Sequence, residues 1–359
     1  MPHDNVSALR ASRRELLRTL AIGSASLLVD RHAVFGQDRR NLAGTGRVDV
    51  HFHLGGNAGF GGGGNTALIS AAANKSVEDL DRAGTAAGII SASSSGAGTG
   101  SLADRNRQAR EFNDTAARWI SDHPTRFGLW TRLPLTDVDA SLKEIEYGID
   151  QLKADGIGLV TSYEDAWLGD PKLKPVFQEL NRRKAVVYVH PNDAACCGGA
   201  NSLSYEKLNP PTGGSWLEYP MNTARTIFSL MMGGTIRAYP DVRFIFSHGG
   251  GVTPLLLSRI EGFANWSSVG PEKLKQMFPD GITNEFRKLY FEVAQAFSKV
   301  NMDALMALVP TSHILYGSDY PVFPADNSAK GLAKLELPAN VRRAIDRENV
   351  AALLPRWKA

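Results

Sequence analysis

Cysteine is nearly absent from this chain: 359 residues hold two, Cys196 and Cys197, and they are neighbours. A disulfide framework is thereby excluded. A bond between adjacent residues is geometrically strained, so both are expected as free, buried or half-buried thiols. Also missing is any run of about 20 uninterrupted apolar residues, which argues against a membrane span. No GxGxxG follows the first extended run, and no glycine-rich loop ends in the Lys-Ser/Thr of a phosphate cradle, so nucleotide folds lose their usual marks. Excess charge is missing as well. The formal charge is +3, but residues 1–45 hold seven arginines against four acids, leaving 33 basic and 33 acidic residues in the remainder. The pI of 8.8 belongs to that first segment, and a nucleic-acid surface is not supported.

What is present begins with a leader. SRRELLRTLAIGSASLLV sets Arg13-Arg14 ahead of a weakly apolar run from Leu16 to Val29. That order resembles a twin-arginine export signal. Residues 1–45 are therefore expected to be the leader and 46–359 the working unit. The mature form is then periplasmic, without a membrane anchor; if the segment is instead an ordinary basic amphipathic helix, the protein is cytoplasmic.

Beyond it, eight extended apolar runs alternate with helical patterns: 47–53, 87–94, 126–134, 156–163, 185–191, 243–250, 289–296 and 313–321. Stretches such as 102–120 and 137–154 repeat apolar residues with a 3.6-residue period. Buried strands separated by amphipathic helices indicate a parallel sheet covered by helices. Eight such units match a closed (β/α)8 barrel, an α/β fold with its chemistry at the C-terminal face. Loops 55–64 and 93–101 are dense in glycine, and with the insert 192–218 they would rim that face. The tail, 337–356, reads as helices closing the barrel.

Four histidines and one aspartate stand where those runs give way to glycine or proline. His51 and His53 form RVDVHFHL, His190 ends AVVYVHP, His248 ends RFIFSHGG, and Asp319 lies in HILYGSDYP. Strand residues i and i+2 share a face, so His51 and His53 can reach one ion. Imidazoles with a carboxylate suit a single divalent cation, zinc or, on the same ligands, manganese. His248 can exchange a proton near neutral pH, and Asp319 can serve both cation and proton transfer. Arg225 and Arg132 are candidates to bind an anionic substrate. Trp130, Tyr163, Trp167, Phe297, Tyr320 and Phe323 are candidates to wall the pocket.

VDVHFH, the HP at 190–191, SHGGG and YGSDYP resemble the amidohydrolase superfamily, in particular its decarboxylase branch with aminocarboxymuconate-semialdehyde and 6-methylsalicylate decarboxylases. The likeness covers most of residues 47–355. It implies a metal held by His51, His53, His190 and Asp319, with His248 catalytic. Glu292 in LYFEVAQA departs from the branch, where a shorter acid is common. Strand four has no lysine near Tyr163, which points to one metal rather than two. The resemblance implies non-oxidative decarboxylation of an aromatic or enolic hydroxycarboxylate. The alternative on the same barrel is hydrolysis of a lactone, ester or amide. Relatives that pair through an arginine make a homodimer the expected assembly.

Overall fold

A computed structural model describes residues 46–55, 66–197, 214–266 and 270–358. The leader, most of the first glycine-rich loop and residues 198–213 of the insert lie outside the described residues. Eight parallel strands form one sheet: β1 (Arg47–His53), β2 (Thr85–Ser91), β3 (Phe127–Arg132), β4 (Gly156–Val160), β5 (Val186–His190), β6 (Arg243–Phe246), β7 (Tyr290–Glu292) and β8 (Ile314–Leu315), neighbouring in that order. Backbone bonds from Val50 to Tyr316 (3.0 Å), from Asp319 to His51 (2.9 Å) and from His53 to Tyr320 (2.8 Å) bring the segment after β8 against β1. That closes the ring expected of a (β/α)8 barrel.

Helices cover the outside: α1 (Thr66–Ala83), α2 (Leu102–Asp122), α3 (Val138–Glu146), α4 (Lys174–Arg182), α5 (Glu218–Met232), α6 (Thr253–Trp266), α7 (Lys299–Leu308) and α8 (Asn327–Ala333). In α2, Ser101 and Asp104 form a capping box, and Ala109, Asn113, Ala116 and Trp119 make the buried stripe. Such reciprocal capping satisfies two of the helix's orphan N–H groups. The pattern at 137–154 yields a shorter helix. It passes at Tyr147 into a π turn to Gln151, where Gly148 lies against Thr131 of β3 too closely for a side chain.

Three apolar clusters follow. Two lie between the strands and the helices. The third fills the barrel, where Val48, Val50, Ile89, Trp130, Val186, Tyr188, Ile245 and Leu315 meet Val350, Leu354 and Trp357 of the tail. Trp357 donates to Asp155 (2.9 Å) and Arg356 to the Phe127 carbonyl (2.8 Å), so the tail stoppers the end opposite the mouth, as expected.

Two strands end earlier than their apolar runs. β6 stops at Phe246, and His248 lies in a turn with φ +54°; β8 has only two residues, and Asp319 follows it with φ +63°. Left-handed backbone is uncommon outside glycine and concentrates at working sites. The expectation of free thiols is corrected: Cys196 and Cys197 are bonded to each other. They sit in a turn that Cys197 closes by donating to the Ala194 carbonyl (2.9 Å).

Candidate metal centre

β1 delivers two imidazoles to the mouth through an irregularity. Its pairing with β2 slips by one residue between Asp49 and Phe52, and a bulge of this kind re-aims the side chains above it. Val48, below the slip, and Val50, within it, pack into the barrel. Phe52 packs outward, and His51 and His53 turn into the lumen. Asp49, fully buried, accepts from the His51 and Ser318 amides (3.0 Å each) and fastens the Asp319 segment to β1.

Three ligand atoms nearly form an equilateral triangle. Nε2 of His51 is 3.1 Å from Nε2 of His53 and 3.1 Å from Oδ1 of Asp319, and Nε2 of His53 is 3.2 Å from that oxygen. Atoms held about 2.1 Å from one ion at tetrahedral or octahedral angles stand about 3.0–3.4 Å apart. The His190 ring closes the group, with centroids 5.0 and 4.9 Å from His51 and His53. One ligand atom from each of the four lies within 4.8 Å of the others, and all four residues are buried. The donor set fits a divalent cation.

Each imidazole also has its other nitrogen engaged. Nδ1 of His51 donates to Glu292 (2.8 Å), Nδ1 of His53 to the Ser91 carbonyl (3.0 Å) and Nδ1 of His190 to the Pro191 carbonyl (2.6 Å). Those acceptors set the tautomer and leave all three Nε2 lone pairs turned inward. Glu292 has a second task, accepting from the backbone N–H of His248 (2.7 Å). His248 is half-buried, its ring 5.0 Å from His51, and its Nδ1 donates to the Ala294 carbonyl (3.0 Å).

Burial and neighbouring charge act in opposite directions on these groups. Burial opposes a charge on His51, but Asp319 and Glu292 outweigh it and push the ring up to about 10. Burial would raise Asp319, yet His51 and His53 hold it well below the usual carboxylate range. Burial, reinforced by His53, drives His190 well below the ordinary imidazole range.

The other expected site residues divide. Trp130 is fully buried, stacked on Tyr188 at 5.8 Å and bonded to the Val50 carbonyl; it belongs to the floor beneath the site, with no face for a substrate. Tyr320 points outward, stacked on Phe52 at 4.8 Å with its hydroxyl on Asp79 of α1 (2.7 Å). The Phe297 ring packs against Gly331 of α8. Tyr163 accepts from the Val160 amide (3.1 Å), while Trp167 and Phe323 are half-buried. Arg225 donates to Asn222 (2.6 Å), lies 3.6 Å from Glu218, and lines an outer groove between α5 and α6. Arg132 does stand at the mouth. Sequence reasoning missed Asp49, Ser91 and Tyr219; Tyr219, in the first turn of α5, bonds Ser94 and lies within the field of Asp319. An aspartate two residues before the first histidine, in an otherwise apolar strand, was the available signal for Asp49.

Comparison with known proteins is consistent with this geometry. The Amidohydrolase family model matches residues 48–356. The decarboxylase yanB of Aspergillus niger is 34% identical over 261 residues, covering 70% of this chain and 69% of that protein. The 6-methylsalicylic acid decarboxylase of Penicillium expansum is 31% identical over 256 residues, 70% and 75% of the two chains. A crystal structure of 2,6-dihydroxybenzoate decarboxylase with 2,6-dihydroxybenzoate superposes with a TM-score of 0.72 at 19% identity, covering 87% of this chain and 99% of that one. A dihydroxybenzoic acid decarboxylase from Polaromonas, with bound manganese, gives 0.74 at 18%, covering 88% and 98%. At such identity the structural likeness establishes the fold. The chain belongs to the amidohydrolase family, and these relatives within it are decarboxylases.

Proposed function

We propose that this protein is a metal-dependent, non-oxidative carboxy-lyase acting on a small aromatic hydroxycarboxylate. The single observation that carries the reading is the inward triangle of His51, His53 and Asp319, completed by His190, in a chain 31% identical to a 6-methylsalicylic acid decarboxylase. When bound, the cation holds substrate oxygens and stabilises negative charge as the C–C bond breaks. His248, fixed through Nδ1, delivers a proton from Nε2 to the ring carbon that loses carbon dioxide. Asp319 stays ionised throughout. Incubation of metal-loaded protein with 2-hydroxybenzoates tests this: carbon dioxide and the matching phenol should appear in equal amounts. Turnover of lactones or esters alone would sink it.

Three finer points are proposals too. Zinc and manganese both suit three imidazoles and a carboxylate; manganese in the Polaromonas relative supports testing both. A homodimer through the α5–α6 groove is supported by Met221, Phe228 and Phe263 lining it and by Leu255, 65% exposed, beside it. Residues 1–45 as a twin-arginine leader, with a periplasmic mature enzyme, is supported by Arg13-Arg14 and the charge confined to that segment. Fusion of the leader to a reporter, with Arg13 and Arg14 changed to lysine, should abolish export.

A further inference from the structure

Arg132 is a buried cation that no acid among the described residues answers. It ends β3 with 8% of its surface exposed. Its Nε donates to the Gly96 carbonyl (3.0 Å) and its Nη2 to the Ser95 carbonyl (3.1 Å). Both acceptors are neutral, and among the described residues no carboxylate pairs with it. The one titratable group acting on it is Tyr163, a phenol that burial pushes up to about 12 and so keeps uncharged. Arg126 and Arg183, also sunk into the fold, each lie 2.8 Å from an aspartate. Buried charges are as a rule paired. The missing partner of Arg132 is then expected to be a ligand.

Its position says which ligand. Thr131 faces the helix layer against Gly148, so its neighbours Trp130 and Arg132 face the lumen. Trp130 stacks on Tyr188, and each strand continues two residues toward the mouth, to Arg132 and to His190. Between them, β4 pairs Gly156 with Trp130 and Gly158 with Arg132, so β4 puts no side chain beside Arg132 itself, and its next lumen-facing residue, Val160, pairs with His190. Arg132 and His190 thus both face the lumen at the mouth ends of β3 and β5, the two strands that flank β4. The turn Ser94–Ala97 that receives its two bonds is also held by Tyr219.

We infer that Arg132 is the receptor for the carboxylate of the substrate, offering the free end of its guanidinium fork at the mouth that also holds the metal ligands. Arginine pairs with carboxylates through two parallel bonds, and a lysine in its place keeps the charge without the fork. This rests on the carboxy-lyase reading for its choice of ligand.

The test uses the full-length, metal-loaded protein, with salicylate and phenol as calorimetric probes. Arg132→Gln should weaken salicylate about 10–100-fold, the range for a hydrogen bond to a charged group, and leave phenol binding and metal content unchanged. Should that variant not fold, Arg132→Lys carries the test, with an expected loss of about 3–10-fold for salicylate alone. Salicylate binding as tight in a folded variant as in the parent, or lost in step with phenol, would overturn the assignment. Selective loss of salicylate supports it even where no substrate releases carbon dioxide, a result that would sink only the reaction. Carbon dioxide release with unchanged KM in Arg132→Gln would overturn the assignment and leave the reaction standing.

Discussion

At the scale of single residues, the proposed function separates groups that bind the ion from groups that orient or move protons. His51→Ala and Asp319→Ala each remove a corner of the 3.1–3.2 Å triangle; metal analysis should find the ion lost, with activity lost alongside. His248→Ala is expected to keep its metal and lose about 10²–10⁴-fold in kcat, the usual worth of a positioned general acid. Glu292→Gln should keep the shape and weaken the hold on Nδ1 of His51. Orienting partners of this kind contribute about 10–100-fold to metal affinity, which competition with a chromophoric chelator would measure. Unchanged affinity there would show that the Glu292 bond does not tune the ligand.

Between strands and turns, much of the barrel was legible in the chain, because buried parallel strands read as continuous apolar runs and their helices as 3.6-residue stripes. The clustering of His51, His53, His190 and Asp319 was legible for a related reason: polar side chains at the ends of such runs have few other uses. The turns were not legible. β6 and β8 stop short, and His248 and Asp319 hang on left-handed backbone beyond them, since hydrophobicity does not report where hydrogen bonding ceases. The slip in β1 is invisible for the same reason. Aromatic residues misled, as Trp130 and Tyr320 show, because rings near strand ends serve packing as often as binding. Gly317 in YGSD has a role that only coordinates reveal. A Cβ there would run into the Glu292 carboxylate and stand 3.0 Å from Cβ of His51. Gly317→Ala is therefore expected to cost about 1–3 kcal/mol through overpacking, to lower Tm in a thermal melt, and to weaken metal binding.

For the whole molecule, the ion is expected to couple folding to chemistry. Saturation at about 100 times Kd adds about 2.7 kcal/mol of stability, so chelation should lower Tm and addition of zinc or manganese restore it. Asp319 and Glu292 push His51 up to about 10 against burial, so without the ion the ring is expected to carry a proton near neutral pH. A basic group so raised adds stability below its unfolded value, about 6.5, and loses that contribution as pH climbs through the folded value. Metal must displace that proton, so binding near pH 7 should release close to one proton and tighten as pH rises. Calorimetry in buffers of different ionisation enthalpy would read the number; no release would contradict the charge arrangement.

The most direct measurement is a titration of chelated, full-length protein with zinc or manganese while carbon dioxide release from a 2-hydroxybenzoate is followed. Activity should rise linearly to one ion per chain and then level off, with none in His51→Ala. Full activity before any ion is added, or an ion bound by His51→Ala as tightly as by the parent, would contradict the assignment of His51, His53, His190 and Asp319 to a single working cation.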